Sequence, residues 1–278
     1  MSQKSYNDTP TVYLIPTPIG NMEDITIRAI NVLKKVDIIF CEDTRVTSLL
    51  LEQFDIKKRL ISSHKFNEEK NDNKIIEYLS QGLNVGIVTD RGTPIISDPG
   101  YELVKTAINN NYNVVALPGP TAFVPALITS GLSPQPFLFY GFLNNKESKR
   151  KKELEELKEN KETMIFYEAP HRIESTLKVM LETLGNRFIS ISREITKKYE
   201  EIYRGKISDL LNENITMKGE FVIVVEGNQQ EKTYEHLSLI EHVNLYIKEG
   251  YSSKEAIKKV AADRNIPKNE VYSAYHNI

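Results

Sequence analysis

The segment from Val88 to Gly100, VTDRGTPIISDPG, constrains this chain more than any other part of the sequence. A β-branched run is followed there by a turn with two prolines, two glycines and two aspartates. Such punctuation after an apolar run is typical of a ligand-binding loop at a strand end. The same transition from apolar run to proline-rich turn recurs at 12–21 and 114–122. Any one of these segments can be a simple tight turn, but three together predict one shared cleft.

The N-terminal part of the chain alternates predicted strands with predicted helices. Asn21 is positioned to cap the first helix, whose apolar residues recur at helical spacing. This alternation predicts a parallel, doubly wound α/β sheet that binds ligands beyond the carboxyl ends of its strands. No Gly-x-Gly-x-x-Gly motif follows the first strand, which disfavours a standard dinucleotide fold. The predicted strands are 12–15, 37–41, 59–63, 84–89 and 114–117, and the predicted helices are 24–35, 44–54, 70–81 and 98–110.

A second α/β unit and a helical tail are predicted after the third turn. The tail has a helix over 235–249, a second helix capped by Ser253, a turn at 263–267 and a last helix over 269–276, as in a helix-turn-helix module. The predicted domains are 1–120, 121–230 and 233–278. The second unit has predicted strands at 137–141, 163–167, 188–193, 199–203 and 220–226, with helices at 121–130, 147–159, 173–184 and 207–213.

Composition limits the protein class only loosely. The chain has 278 residues, of which 40% are hydrophobic and 27% charged, as in an ordinary globular protein. No apolar run is long enough to span a bilayer and the first residues lack the apolar stretch of a signal peptide, so we expect a cytoplasmic protein. Cys41 is the single cysteine, which excludes an internal disulfide and a cysteine-based metal cluster.

The proline-rich turns are better suited to a cationic ligand than to a phosphate. Phosphate loops use consecutive backbone N–H groups, whereas proline has none and leaves carbonyl oxygens as the available polar groups. Four carboxylates at or near strand ends would repel a polyphosphate and attract a positive charge such as a sulfonium. They are Glu42, Asp43, Asp90 and Asp98.

Six motifs, in order along nearly the whole chain, resemble those of the ribosomal RNA small-subunit methyltransferase I family within the tetrapyrrole-methylase (class III) superfamily. The resemblance implies two α/β domains with the cofactor cleft between them. It also implies methyl transfer from S-adenosylmethionine to the ribose 2′-hydroxyl of a cytidine in the decoding region of 16S rRNA, on the 30S subunit, by a homodimer. The motifs are TPIGN (17–21), CEDTR (41–45), GTPIISDPG (92–100), PGP (118–120), YEAPHR (167–172) and REITK (193–197).

The resemblance also implies the cofactor residues, and the same motifs supply candidates for the general base. The cofactor positions are Pro18, Ile19, Gly20, Thr93, Ile96, Thr121, Ala122, Tyr167, Glu168, Phe221 and Val222. Ribose methylation needs a group that takes up the hydroxyl proton, and several residues remain open for that role. These candidates are Glu42, Asp43, His64, Asp90, Glu168 and His171. Glu42 or Asp43 can instead pair with Arg45, and His171 can instead cap the next helix.

Charge gives mixed support for an RNA substrate. The net charge is −2, but residues 140–206 hold 15 basic against 12 acidic side chains, with a basic cluster over 146–152. That cluster is either a solvated helix start or a phosphate contact. The tail has seven basic and six acidic residues in 232–278, so both a docking role and RNA contact stay open. The RNA-binding candidates are Arg45, Arg91, Lys146, Lys149, Arg150, Lys151, Arg172, Arg193 and Lys197.

One position departs from the family pattern and two other functions compete. Arg91 stands where the family usually has alanine, and we expect it on the cleft rim, paired with Asp90 or Asp98 or directed to RNA phosphate.

No His, Cys, Asp and Glu set has metal-ligand spacing, so no metal is expected. The alternatives are a methylase of the same fold acting on a corrin-type tetrapyrrole and a non-enzymatic nucleic-acid-binding protein.

Overall fold

The computed structural model describes residues 3–5, 8–63, 68–229, 234 and 237–276. Internal contacts divide the chain into two units, Met1–Asn228 and Gln229–Ile278. The first unit contains two five-stranded sheets, and the second contains helices. In the described part of the chain, no helix is both long and apolar enough to cross a membrane.

The first sheet is entirely parallel and has the strand order β3-β2-β4-β1-β5. Its central strands β2 and β4 are buried along their whole length, as expected for a sheet covered on both faces. The strands are β1 (Thr11–Leu14), β2 (Ile38–Cys41), β3 (Arg59–Ser62), β4 (Val85–Val88) and β5 (Asn113–Ala116). The helices between them are α1 (Ile27–Lys35), α2 (Thr44–Glu52), α3 (Glu68–Ser80) and α4 (Tyr101–Asn109).

The alternation of side chains along β2 separates the first sheet into two apolar layers. Ile39 packs with Leu33 of α1 and Leu51 of α2 on one face. Its neighbour Phe40 packs on the other face with Leu103 of α4 and with residues of α3. Because both faces are covered by helices, polar groups concentrate at the ends of the strands, and the three proline-rich turns leave from the carboxyl ends.

The second sheet is mixed and has the order β6-β7-β10-β8-β9. Only β6 and β7 pair in parallel, and the other neighbours are antiparallel. The strands are β6 (Phe137–Phe142), β7 (Thr163–Glu168), β8 (Phe188–Arg193), β9 (Glu201–Lys206) and β10 (Phe221–Val225). The helices are α5 (Phe123–Thr129), α6 (Glu147–Glu156), α7 (Ile173–Leu184) and α8 (Ile207–Leu210). The predicted α/β class with two sheets and a helical tail is therefore confirmed.

The second sheet also has two differently covered faces. One face packs against α6 and α7 in a core that includes Leu154, Phe166 and Leu177. The opposite face packs Ile165 and Val224 against α5 through Ala126 and Leu127. This second core is small, and a row of aromatic side chains, Phe123, Phe139 and Tyr167, extends it toward the carboxyl end of β7.

The unit Gln229–Ile278 is a three-helix cluster, formed by α9 (Leu239–Lys248), α10 (Ser253–Asp263) and α11 (Lys268–His276). Val243, Ile257 and Val271 form its apolar centre. A capping box starts each of the first two helices, with Ser238 for α9 and Ser252 for α10, which satisfies N–H groups that the helix cannot pair internally.

The structure corrects two predicted helix caps. Ser252, and not Ser253, caps α10, because its hydroxyl accepts the Glu255 N–H while Ser253 is already helical. Asn21 does not cap α1 but a short 3₁₀ turn, Met22–Asp24, and Thr26 caps α1 instead. The predicted helix over 24–35 therefore begins at Ile27.

Candidate active site

The three proline-rich turns are joined to one another by hydrogen bonds. We name them the first loop (residues 15–21, after β1), the second loop (89–100, after β4) and the third loop (117–122, after β5). Thr17 and Gly92 exchange two backbone hydrogen bonds of 2.9 and 3.0 Å. The Thr17 hydroxyl also donates to the Thr89 carbonyl at 3.1 Å, and the Thr93 hydroxyl donates to the Pro120 carbonyl at 3.0 Å. The second loop is thus tied to both of the others.

Two glycines allow the loops to approach this closely. A Cβ at Gly119 would lie 2.6 Å from Cβ of Pro16, a rigid ring that cannot swing away. Gly92 has a φ of +87°, in the region that favours glycine, and a Cβ there would lie 3.2 Å from the Ile19 side chain. Any larger residue at either position would separate the loops.

The second loop is held in a strained backbone conformation. Ile95 has a φ of +76° and Ser97 a φ of +68°. A positive φ is costly for a β-branched side chain, by about 1–3 kcal/mol, and such strain collects at ligand sites. The hydrogen bonds at Thr93 and Gly92 hold this loop in place from its N-terminal side.

The loops form one wall of a cleft of about 510 Å³ whose other wall comes from the second sheet. That volume is within the range of small-molecule sites. Pro18 and Gly20 stand in the first loop beside the cleft, outside its lining. The lining contains the other expected cofactor positions, Ile19, Thr93, Ile96, Thr121, Ala122, Tyr167, Glu168, Phe221 and Val222.

Asp90 is the cleft carboxylate with the most distinctive environment. Its Oδ1 accepts the backbone N–H of Asp43 at 3.1 Å. Burial raises the pKa of Asp90 above the ordinary aspartate value, and the nearby Asp43 charge adds to the rise. A carboxyl with a raised pKa that faces a cleft is a candidate proton acceptor.

The neighbouring carboxylates have different surroundings. Glu42 also lines the cleft and accepts the Thr89 hydroxyl at 3.3 Å. Asp43 caps α2 and holds the Arg45 guanidinium at 2.5 Å, and the Arg45 hydrogen bond lowers the pKa of Asp43 to about 2. Asp43 is therefore a permanent anion with a structural partner.

Glu168 is a buried carboxyl group with structural partners. Only 1% of its side chain is exposed, and its oxygens accept the Thr176 hydroxyl at 2.6 Å and the Ala169 N–H at 2.9 Å. Nε of Arg172 lies 3.1 Å from the same carboxylate. With these partners in place, Glu168 holds the turn after β7 and is a poor candidate for proton transfer.

Of the two histidine candidates, only His171 lies among the described residues, and it does not line the cleft. His171 is exposed in a short 3₁₀ turn, Pro170–Arg172, next to the cleft-lining Pro170. His64 falls outside the described residues.

Cys41, at the end of β2, is buried, and burial raises its pKa to about 11, so it is a neutral thiol near pH 7.

The rim of the cleft carries a chain of ion pairs. Arg91 of the second loop pairs with Glu220, whose other oxygen lies 2.7 Å from Nζ of Lys197. The same ammonium lies 2.8 Å from Glu194. Arg91 is 57% exposed, as expected for the rim, but the structure corrects its partner from Asp90 or Asp98 to Glu220. Glu220 is 129 residues away in sequence, so no local pattern indicates the pair.

The predicted RNA-binding cations divide into exposed and buried groups. Arg45 is 88% exposed on its side chain, and Lys146 and Lys149 are exposed at the start of α6. Lys151 is half-buried and pairs with Glu182 at 2.5 Å. Arg172, with 12% of its side chain exposed, is held by Glu168.

Arg150 and Arg193 are buried, which is a correction to their assignment as RNA-facing residues. Arg150 lies one turn before the buried Leu154 on the face of α6 that packs on α7, and its guanidinium contacts Ser175. Arg193 donates to the Lys218 carbonyl at 2.6 Å and pairs with Glu201 at 3.0 Å. Both cations are engaged inside the protein.

Within the described residues, no group of three or more His, Cys, Asp or Glu side chains is arranged to hold a metal.

The contact between Gly119 and Pro16 generates the first prediction. We expect Gly119→Ala to force the first and third loops apart, lowering the free energy of unfolding by about 1–3 kcal/mol and weakening ligand binding in the cleft at least tenfold. Thermal unfolding and calorimetric titration with S-adenosylmethionine measure the two effects. Gly205→Ala is the matched control, because a Cβ there meets Leu210 at an ordinary 3.5 Å. Equal behaviour of the two variants would contradict the interlocking of the loops.

Comparison with known proteins places the chain in a family. The family model "Tetrapyrrole (Corrin/Porphyrin) Methylases" matches residues 11–211. A Bacillus subtilis (strain 168) protein named "Ribosomal RNA small subunit methyltransferase I" is 52% identical, with 99% of this chain and 97% of that protein covered. A protein of the same name from Halalkalibacterium halodurans is 48% identical, with 99% of each chain covered.

Solved structures share the fold over about four fifths of this chain at low sequence identity. A uroporphyrin-III-C-methyltransferase from Thermus thermophilus superposes with a TM-score of 0.56 at 18% identity, covering 78% of this chain and 94% of that one. The methyltransferase CobJ superposes with a TM-score of 0.59 at 17% identity, covering 81% and 97%. The family model and the full-length relatives show that the chain belongs to the ribosomal RNA small subunit methyltransferase I family of the tetrapyrrole methylases.

Proposed function

We propose that this protein transfers a methyl group from S-adenosylmethionine to the ribose 2′-hydroxyl of a cytidine in the decoding region of 16S rRNA. The observation that carries the proposal is the cleft between three interlocked, proline-rich loops and the second sheet, in a chain whose full-length relatives are named as ribosomal RNA methyltransferases. The 30S subunit is the proposed partner, and the cytoplasm is the proposed location.

The chemistry of the cleft fits S-adenosylmethionine. The loops offer carbonyl oxygens, and Glu42 and Asp90 place carboxylates in the lining, which favours a cationic sulfonium over a polyphosphate. When bound, the cofactor supplies an electrophilic methyl group on sulfur. We assign its binding to the eleven positions given above, with Thr93 and Thr121 on one wall and Tyr167 and Val222 on the other.

Positioning and proton uptake are the protein's contributions to the reaction. A hydroxyl is a poor nucleophile while it holds its proton, so a base must take that proton as the oxygen reacts. We assign this role to Asp90. Its Oδ1 is occupied by the Asp43 N–H, which fixes the carboxylate, and Oδ2 is the oxygen that receives the proton. Its raised pKa makes it a better acceptor than an exposed aspartate.

The general proposal is tested with 30S subunits that lack the methyl group. Incubation with S-adenosylmethionine labelled in the methyl group should transfer label to one ribose of 16S rRNA, which nucleotide mapping identifies. A corrin-type tetrapyrrole is the competing substrate and should receive no label. Label on the tetrapyrrole alone would assign the protein to small-molecule methylation, and failure to bind the cofactor in calorimetry would favour a non-enzymatic RNA-binding protein.

The Asp90 assignment predicts a large loss of turnover in Asp90→Asn. We expect kcat to fall at least about 100-fold, because a carboxamide accepts the Asp43 N–H but cannot take a proton. The affinity for S-adenosylmethionine should change by less than about tenfold in calorimetry. Asp43→Asn is the control, since that side chain is a partly exposed helix cap whose role asparagine can also fill, and it should keep most of the wild-type kcat. Near-normal kcat in Asp90→Asn would remove Asp90 from the mechanism.

The same assignment fixes the direction of the pH dependence. The base acts in its ionised form, so kcat should fall as the pH falls through the Asp90 pKa and should level off above it. Because burial raises this pKa, the midpoint should lie above the ordinary aspartate value of about 3.9. A profile of single-turnover rates against pH measures it, and the acid limb should be absent from the residual activity of Asp90→Asn.

Exposed cations suit the RNA backbone. We assign phosphate contacts to Arg45, Arg91, Lys146 and Lys149, whose side chains reach solvent, whereas Lys151 and Lys197 are engaged in ion pairs. Arg172 supports the loop after β6 through the Leu143 and Asn144 carbonyls.

We expect Arg91→Ala to affect RNA and not the cofactor. The ion pair with Glu220 joins two side chains that are more than half exposed, so its loss costs little stability. Affinity for S-adenosylmethionine should stay within about threefold. The slope of the logarithm of 30S affinity against the logarithm of salt concentration should decrease in magnitude by about one. Lys105→Ala removes a similarly exposed, paired cation from α4 and should change neither. A large loss of cofactor affinity in Arg91→Ala would contradict the rim assignment.

A homodimer is proposed on the basis of exposed apolar side chains. Ile27 at the start of α1 is 79% exposed, and Ile128 of α5 is 69% exposed. Asp24, just before α1, and Val124 of α5 line the same second cavity. An exposed apolar surface of this kind fits association between identical chains.

A further inference from the structure

Phe142 is a large aromatic side chain exposed in the lining of the active-site cleft. It is 55% exposed, whereas Phe139 and Tyr140 of the same strand are half-buried. The centroids of the Phe142 and Tyr167 rings lie 5.5 Å apart and the two ring planes meet at 61°, so Tyr167 supports Phe142 through an edge contact. Exposure of an apolar ring inside a ligand cleft calls for a ligand that covers it.

A β-bulge places Phe142 in the cleft. In a regular strand, side chains two residues apart share a face, so Phe142 would join Leu138 and Tyr140 in the core against α6 and α7. The register between β6 and β7 instead shifts between Phe139 and Gly141, which leaves Tyr140 as the extra residue. Phe142 therefore changes face and pairs with Tyr167.

The same bulge depends on a glycine. Gly141 has a φ of +83°, a conformation that side chains rarely adopt. A Cβ there would also lie 3.3 Å from the Ser97 hydroxyl of the second loop. The strand is thus irregular where it passes the strained loop, and the irregularity directs an aromatic ring toward the ligand and away from the core.

The position of the ring is rigid on both sides. Tyr167 packs on Phe139 as well as on Phe142, so the supporting ring is itself held. After Phe142, the chain is fixed by Arg172, whose guanidinium donates to the Leu143 carbonyl at 3.0 Å and the Asn144 carbonyl at 3.2 Å. The buried Glu168 in turn holds Arg172. A pre-positioned ring of this kind binds a flat ligand with little ordering cost.

We propose that Phe142 is the stacking platform for the base of the nucleotide that is methylated. Single-stranded RNA is recognised largely by stacking of unpaired bases on aromatic side chains, and an enzyme that acts on one nucleotide must take it out of its helix. Asp90 and Phe142 line the same cleft, so a ribose directed to Asp90 brings its base to the wall that Phe142 forms. This inference rests on the proposed function and names the base subsite of that site.

The experiment measures 30S binding and cofactor binding in parallel for variants of Phe142. Phe142→Leu keeps an apolar side chain but removes the aromatic face, whereas Phe142→Trp keeps an aromatic face. Phe137→Leu is the matched control, because Phe137 is 42% exposed at the opposite end of the same strand. The readouts are KM for unmethylated 30S subunits, kcat, the calorimetric affinity for S-adenosylmethionine, and the sedimentation coefficient.

Loss of one base–aromatic stack should raise KM for 30S subunits in Phe142→Leu by about 5- to 150-fold. The KM of Phe142→Trp should stay much closer to the wild-type value than that of Phe142→Leu, and the KM of Phe137→Leu should match the wild type. Affinity for S-adenosylmethionine should stay within about threefold in every variant, with the sedimentation coefficient unchanged.

Three results would overturn the proposal. An unchanged KM in Phe142→Leu would show that no base stacks there. A parallel loss of cofactor affinity would place the ring in the cofactor site, and a changed sedimentation coefficient would place it in a contact between protein copies. If wild-type protein itself fails to methylate 30S subunits while binding S-adenosylmethionine, the proposed function has failed, and a tetrapyrrole becomes the flat ligand to test.

Discussion

The two backbone hydrogen bonds between Thr17 and Gly92 are the interaction on which the cleft depends. They join the exits of β1 and β4, which are neighbours in the sheet, and so fix the first and second loops as one body. The third loop is then held by Thr93 and by the contact of Gly119 with Pro16. Backbone strain at Ile95 and Ser97 persists because these contacts over-determine the conformation. A cofactor that binds through backbone atoms needs such a pre-formed wall.

The electrostatics of the cleft follow from where each carboxylate finds its partners. Asp43 has an arginine at 2.5 Å and the N-terminus of α2, so its charge is stabilised and its pKa falls. Asp90, at the exit of the neighbouring strand β4, accepts the N–H of Asp43 and is partly buried, and this burial raises its pKa. Neighbouring carboxyl groups with pKa values pushed apart can divide structural and proton-transfer roles.

Most of the fold could be predicted from sequence because its signals are local. The apolar runs of β2 and β4 and the punctuation after β4 place strands and loops within a few residues of their observed positions. The caps depend on more than the sequence, since Ser252 and Ser253 carry the same side chain and only the backbone conformation decides which of them caps α10. The sequence pattern that predicts a helix start at Asn21 fits the short 3₁₀ turn before α1 as well as it fits α1 itself.

The features of the site that the sequence did not indicate depend on contacts between distant segments. Arg150 belongs to a run of basic residues, yet its place one turn before Leu154 puts it on the buried face of α6. Arg91 finds Glu220 across the cleft, which no spacing along the chain can show.

The bulge in β6 shows how such a contact can change the role of a residue. The sequence FLFYGF is an apolar run without polar alternation, and the regular two-residue period of a strand would bury the last phenylalanine beside Tyr140. Gly141 permits a regular strand as well as a bulged one, so the choice rests on the tertiary partners of β6. Ser97 approaches from the second loop, Arg172 holds the following carbonyls, and Tyr167 offers a ring on the cleft side. Together these contacts compensate for the lost strand regularity. The face on which Phe142 lies is therefore a consequence of the assembled cleft, which is why an exposed aromatic there is evidence about the ligand.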